Sequence, residues 1–248
     1  MLKLRFVAVL FVSVVIVAAL SGSTATVSAG VTAATDVVSI SPSGVTVGVA
    51  HPVTVTFAGR IADRTAAENS IEITSPKRPA GNFTWLNDNV LQWNPSEFWP
   101  AHSTIALSVG DAKTNFQTGG ATVGVADISA HTFTVSMDGE VMREMPASMG
   151  KYGFATPVGS FTALEKQSVV IMDSRTIGIP LDDPEGYKLT VYDAVRVTWG
   201  GVYVHGAPWS TGSQGYENVS HGCINLSPDN ADWYYNTVRI GDPIIVQA

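Results

Sequence analysis

One thiol and two imidazoles near the C-terminal end carry the most reactive grouping in the chain. His205 stands in Tyr203-Val204-His205-Gly206, and after residues 206–219 comes Ser220-His221-Gly222-Cys223-Ile224-Asn225. Cys223 is the only cysteine among 248 residues, and His205 and His221 are two of five histidines. A free thiol, with a pKa near about 8.5, is only a few per cent thiolate at neutral pH, so a useful sulfur nucleophile needs a base or positive charge beside it. If the two segments are neighbours, one imidazole takes the thiol proton and backbone N–H groups around Cys223 face a developing oxyanion. Gly222 permits tight backbone geometry and close approach of a carbonyl. Two other readings of the same side chains stay open: His205, His221 and Cys223 as zinc ligands around an open position, and Cys223 as a buried packing residue.

Other candidates are weaker. Ser148-Met149-Gly150-Lys151 fits the S-x-x-K pattern of serine acylases, but the partner patterns S-D-N and K-T-G are absent from the sequence, so it reads as hairpin and loop. His51, His102 and His131 have no cysteine, carboxylate or histidine at ligand spacing and read as surface or core histidines.

The elements that must position these residues read as mainly β. Short β-branched or alternating runs at 45–49, 53–57, 71–74, 90–93 and 104–109 are punctuated by Pro, Gly, Asn and Asp, which suggests a small β-sandwich over 36–126. Trp85, Trp93 and Trp99 read as packing residues of that domain. A second domain, 127–248, opens with runs at 132–135 and 140–145 around Met137-Asp138-Gly139, a hairpin-turn signal. A strand is expected at 169–172, and the turn-rich stretch 180–186 is expected to border a cleft. Ser227-Pro228-Asp229 starts a helix that should run to about Val238 with Gly241 ending it. Residues 243–246 then form the last strand. That helix begins too late to place Cys223 at its N-terminus, so thiol activation must come from histidine and local backbone.

Ahead of both domains, residues 1–35 read as an export signal or signal anchor followed by a linker. Lys3 and Arg5 precede an apolar run at 6–20, and Ser, Thr, Ala and Gly fill 21–35. A hydrophobic content of 45% is enough for real cores. Lys+Arg 14 against Asp+Glu 21, a net charge of -7, argues against a nucleic-acid partner. A single cysteine rules out an internal disulfide.

With these residues in place, the chain resembles the YkuD-like L,D-transpeptidases, which build peptidoglycan cross-links. The resemblance rests on the first histidine, the gap and Ser-His-Gly-Cys-hydrophobic-Asn, here His205 and residues 220–225. It extends over 127–246 through PASMG (146–150), TPVGSF (156–161), HGAPWS (205–210) and SPDNADWYY (227–235), and is strongest to mycobacterial and related actinobacterial members. VTVTF (53–57), Ile61-Ala62-Asp63-Arg64 and EFWPA (97–101) resemble the immunoglobulin-like domain that precedes the catalytic domain there.

The resemblance implies Cys223 as nucleophile, His205 as general base and the Gly206 carbonyl as the group orienting the His205 ring. Some relatives carry serine where this chain has Gly206, a change that a backbone contact survives. His221 and Asn225 would shape the site by hydrogen bonding, and Tyr187, Gly222 and the Cys223 amide would surround the oxyanion. Met172, Trp209, Ser220 and Asn225 would meet substrate. Neither cofactor nor metal is implied. The implied reaction is formation of 3→3 cross-links from a tetrapeptide donor stem and an amine acceptor, with release of D-Ala. Acylation by β-lactams, carbapenems above all, is implied too, as is an extracytoplasmic location, secreted or membrane-anchored. The alternatives are an L,D-carboxypeptidase using the same thioester, or a non-catalytic wall-binding module.

Overall fold

A computed structural model describes residues 36–75 and 79–248 of the chain. The export or anchor segment expected at 1–35 lies outside the described residues.

The first eight strands are β1 (Val37–Ser41), β2 (Thr46–Val47), β3 (Val53–Phe57), β4 (Ile71–Thr74), β5 (Gly81–Trp85), β6 (Val90–Pro95), β7 (Thr104–Val109) and β8 (Ala112–Thr118). They form two four-stranded sheets, in the orders β1-β3-β6-β5 and β2-β8-β7-β4. Strand β3 shows why they pack as a sandwich: Val53, Val55 and Phe57 are buried while Thr54 and Thr56 between them are half-buried. Trp99 sits in the core with its ring 4.9 Å from that of Trp93 and 5.6 Å from that of Phe116. Its indole N–H donates to the His51 carbonyl at 2.9 Å, so the buried polar atom is satisfied. The tryptophans therefore pack, Trp85 lying half-buried against the same core. One short helix, α1 (Arg64–Asn69), starts where the Asp63 carboxylate accepts the Ala66 N–H at 2.9 Å.

Nine further strands follow: β9 (Thr122–Asp127), β10 (Thr132–Met137), β11 (Glu140–Pro146), β12 (Gly159–Thr162), β13 (Glu165–Asp173), β14 (Lys188–Arg196), β15 (Tyr203–Gly206), β16 (Ile224–Leu226) and β17 (Pro243–Gln247). One sheet has the order β11-β10-β9-β17-β12 and the other β13-β14-β15-β16. The β10–β11 turn is made by Asp138 and Gly139 at φ 52° and 89°, the left-handed geometry a two-residue hairpin loop demands. Strand β9 pairs with β10 and, in parallel, with β17, so this body takes up strand residues ahead of Asp127. Helix α2 (Pro228–Thr237), capped by the Ser227 hydroxyl, packs on β14 and β15. It puts Tyr234 edge-on to Phe133 at 4.9 Å. The helix ends one residue past Thr237 at an extended Val238 (ψ 145°), ahead of Gly241. Gly241 instead turns the chain into β17 at φ 89°, where any Cβ would strike His51.

The sandwich and the second body meet along backbone. The N–H groups of Gly48 and Ala50 donate to the carbonyls of Ile240 and Gly241, each at 2.9 Å. His102 and Asp138 pair across the same junction at 2.9 Å.

Candidate active site

Strands β15 and β16 lie side by side in parallel, with His205 directly opposite Asn225 and Val204 opposite Ile224. This register brings the two sequence segments together: His205 is the third residue of β15, and Cys223 immediately precedes β16. His205 is buried, 2% exposed. Its Nδ1 lies 2.9 Å from the Gly206 carbonyl oxygen, which can only accept. Nδ1 therefore carries the proton, and Nε2 offers its lone pair. Burial pulls the imidazole pKa down to about 4, against a smaller upward pull from the Gly206 carbonyl.

The loop carrying the thiol is held from both sides. Gly222 has φ 116°, a conformation that a Cβ would strain. Ser220 Oγ accepts the Gly222 N–H at 3.1 Å and donates to the Cys223 carbonyl at 2.7 Å. Thr156 Oγ1 donates to the Gly222 carbonyl and accepts the Gly150 N–H, both at 2.9 Å. Ser148 exchanges backbone hydrogen bonds with Asn225, and Asn225 Nδ2 donates to Ser210 Oγ at 3.2 Å. The S-x-x-K serine is thus a buried brace whose hydroxyl donates to the Glu217 carbonyl at 2.7 Å.

Cys223 is partly exposed and belongs to the walls of two cavities. Burial pushes the thiol up to about 11, opposed by the Tyr203 backbone N–H beside the sulfur. The thiol donates to the Gly201 carbonyl at 3.7 Å, a weak contact in keeping with a protonated resting sulfur. The opposite shifts of Cys223 and His205 make the resting pair neutral: a thiol and an unprotonated base on the wall of one cavity.

The first cavity, about 330 Å³, is walled by His205, Trp209, Ser213, Ser220 and Asn225 among others. The second, about 380 Å³, is walled by Gln167, Arg196, Trp199, Gly201 and Tyr203 among others. Met172, Tyr187, His221 and Cys223 belong to both walls, so Cys223 borders two chambers. Trp209 is half exposed and stacks obliquely over His205 at 6.0 Å. Burial raises the Tyr187 phenol pKa, keeping it a proton donor at neutral pH.

His221 is held by other partners. Its ring lies 4.6 Å from that of Phe154 and 4.9 Å from that of Tyr187, and Nε2 meets Glu185 Oε2 at 2.8 Å. The same carboxylate oxygen takes Lys151 Nζ at 2.5 Å, and that bond leads the causes that lower the Glu185 pKa. Among the described residues, no three His, Cys, Asp or Glu side chains form a metal-holding group. Every residue expected at the site therefore lies on the walls or on the loops and strands that form them. The sequence reading missed Glu185, Lys151, Phe154, Thr156 and Arg196. Glu185 lies within the stretch expected to border a cleft, but its pairing with His221 spans 36 residues, which no local pattern reveals.

Known proteins resemble this chain in sequence and fold. Residues 121–246 match the family model of the YkuD L,D-transpeptidase catalytic domain, and residues 17–112 match that of a bacterial Ig domain. L,D-transpeptidase 1 of Mycobacterium tuberculosis is 58% identical over 211 residues, covering 85% of this chain and 84% of its own. A solved L,D-transpeptidase from Mycobacterium smegmatis is 69% identical with a TM-score of 0.83, covering 86% of this chain and 99% of that one. An L,D-transpeptidase solved in complex with imipenem is 58% identical with a TM-score of 0.81, at the same coverage of 86% and 99%.

Proposed function

The chain belongs to the YkuD family of L,D-transpeptidases, and on that premise we propose that it cross-links peptidoglycan stems with Cys223 as nucleophile and His205 as base. The observation that carries the roles is His205 Nδ1 held at 2.9 Å by the Gly206 carbonyl, which leaves Nε2 free on the wall it shares with Cys223.

The chemistry follows from the neutral pair. As the Cys223 sulfur attacks the carbonyl joining the third stem residue to the terminal D-Ala, the thiol proton passes to His205 Nε2 and an S–C bond forms. The oxyanion is met by the Cys223 N–H and by the Tyr187 phenol, the Gly222 N–H being taken by Ser220 Oγ. Collapse breaks the C–N bond, and His205 returns the proton to the departing D-Ala amine. A thioester remains. An acceptor amine entering through the other chamber attacks it and gives its proton to His205. When the C–S bond breaks, the sulfur recovers a proton and the 3→3 amide is complete. Met172, Trp209, Ser220 and Asn225 line the chamber on the His205 side, where they are placed to meet a stem. Water in place of the amine makes the same site a carboxypeptidase.

The relative solved with imipenem supports the same cysteine as a β-lactam target in this chain. The β-sandwich would act as a spacer, and the apolar run at 6–20 would export or anchor the protein on the outer side of the membrane. The test is to incubate the protein with a tetrapeptide donor and an amine-bearing stem. A 3→3 dimer with D-Ala release supports cross-linking. D-Ala release with tripeptide alone marks hydrolysis, and neither product contradicts the reading.

A further inference from the structure

We propose that Arg196 is the carboxylate-binding residue of this site, its guanidinium recognising a carboxylate of the stem peptide in the chamber that His205 does not line. The inference deepens the stem-peptide reading and rests on it.

Arg196 ends β14, and its Cα partner is Tyr203 of β15. Because Val204 pairs with Ile224, Tyr203 lies level with Cys223, which puts Arg196 two strands across from the nucleophile. That is about 10 Å between backbones, and the arginine side chain spans part of it. A carboxylate one residue beyond the carbonyl at Sγ lies about 3.5 Å further along an extended stem, inside that span.

The guanidinium is pre-organised. Its Cζ lies 4.5 Å from the Tyr203 ring centroid and 5.4 Å from that of Trp199. Nε donates to Glu165 Oε2 at 2.8 Å, and among the described residues this is its one side-chain hydrogen bond. Both terminal amino groups thus remain for a ligand, on a side chain only 19% exposed. A planar fork fixed by two rings and one carboxylate binds a second carboxylate with little further loss of freedom. Among the described residues, Arg196 is the one lysine or arginine in the wall of either chamber beside Cys223. The opposing charge there, Asp173, is occupied by Arg175 Nε at 2.9 Å and Nη2 at 2.6 Å. Glu165 offsets the arginine charge, so recognition depends on directed hydrogen bonds more than on net charge.

Two stem carboxylates are put to the test: the terminal carboxylate of the leaving D-Ala, and the α-carboxylate of its second residue. The experiment measures kcat and KM for D-Ala or D-alaninamide release from three stems: free acid, D-alaninamide-terminated, and amidated at the second residue. Each is run with the unsubstituted protein, Arg196→Met and Arg196→Lys, with melting temperature as the folding check. The unsubstituted protein should lose roughly 10- to 100-fold in kcat/KM when the recognised carboxylate is amidated. Arg196→Met should show that loss already on the free acid, chiefly in KM, with little further loss on the amide. The arm in which the losses merge identifies the carboxylate. Arg196→Lys, which keeps the charge but not the fork, should retain part of the acid–amide difference and carries the test should Arg196→Met fail to fold. Equal losses on all three stems, or none, overturn the inference and leave the stem-peptide reading intact. No release from any stem by the unsubstituted protein overturns both.

Discussion

The neutral resting pair makes a quantitative prediction about thiol reactivity. Burial moves Cys223 from 9.0 to about 11, while His205 falls from 6.5 to about 4. A cysteine is neutral when protonated, so the raised value keeps the S–H form, and the lowered imidazole value keeps the ring unprotonated. At pH 7.5 the thiolate fraction is then about 0.03%, against about 3% for a thiol left at 9.0. Alkylation of Cys223 by iodoacetamide, followed by intact mass, should run about 100-fold slower than for an unperturbed cysteine at that pH. It should climb roughly tenfold per pH unit between 7 and 10, without a plateau. His205→Asn should change this alkylation little, because the resting imidazole holds no charge that stabilises a thiolate. The same substitution should slow acylation by a carbapenem by about 10²- to 10⁴-fold, where proton transfer accompanies attack. A reactive plateau between pH 5 and 8 that disappears in His205→Asn would refute the neutral pair in favour of a resting thiolate–imidazolium.

Three further outcomes are expected. Asp242 is raised to about 6 by burial, so it favours the fold below pH 3.8 and loses that contribution as pH rises through about 6. His205, lowered to about 4, works in the opposite sense and loses its contribution as pH falls from 6.5. Asp242→Asn removes one of the two, so melting temperature should rise more steeply from pH 4 to 6.5 in the variant than in the unsubstituted protein. Glu185→Gln keeps a hydrogen-bonding group beside His221 but removes the charge that binds Lys151. It should lower kcat/KM for β-lactam acylation by about 5- to 20-fold while leaving Cys223 alkylation within about twofold. Gly48→Ala would drive a Cβ into the Asp242 backbone, which has no flexible end to yield. Calorimetry should show about 2–4 kcal/mol of lost stability, a fall of roughly 5–15 °C.

Where chemistry or alternation is written locally, the sequence was readable. The runs at 53–57, 71–74 and 104–109 coincide with β3, β4 and β7, whose inward residues alternate with outward ones. Asp138-Gly139 announced its turn because few residues accept two successive positive φ angles. The histidine and the cysteine loop stood out because a catalytic thiol constrains its neighbours residue by residue. Strands β5 and β8 escaped notice because Gly81-Asn82 and Lys113-Thr114-Asn115 interrupt the apolar pattern, their stability coming from partners across the sheet. Residues 45–49 look like a full strand, yet β2 keeps only Thr46–Val47, because Gly48 and Ala50 give their N–H groups to Ile240 and Gly241. Glu185, Thr156 and Arg196 act through partners 36, 66 and 31 residues away, separations at which a single sequence carries no signal.

In the proposed reaction Cys223 becomes a thioester with a peptidoglycan stem, with His205 moving the proton. The most direct test is the intact mass of the protein after brief exposure to a tetrapeptide donor, paired with detection of D-Ala. A mass increase equal to the acyl tripeptide and released D-Ala are expected, both absent in Cys223→Ala and greatly slowed in His205→Asn. Folded protein that shows neither adduct nor D-Ala, or an adduct that survives in Cys223→Ala, would contradict it.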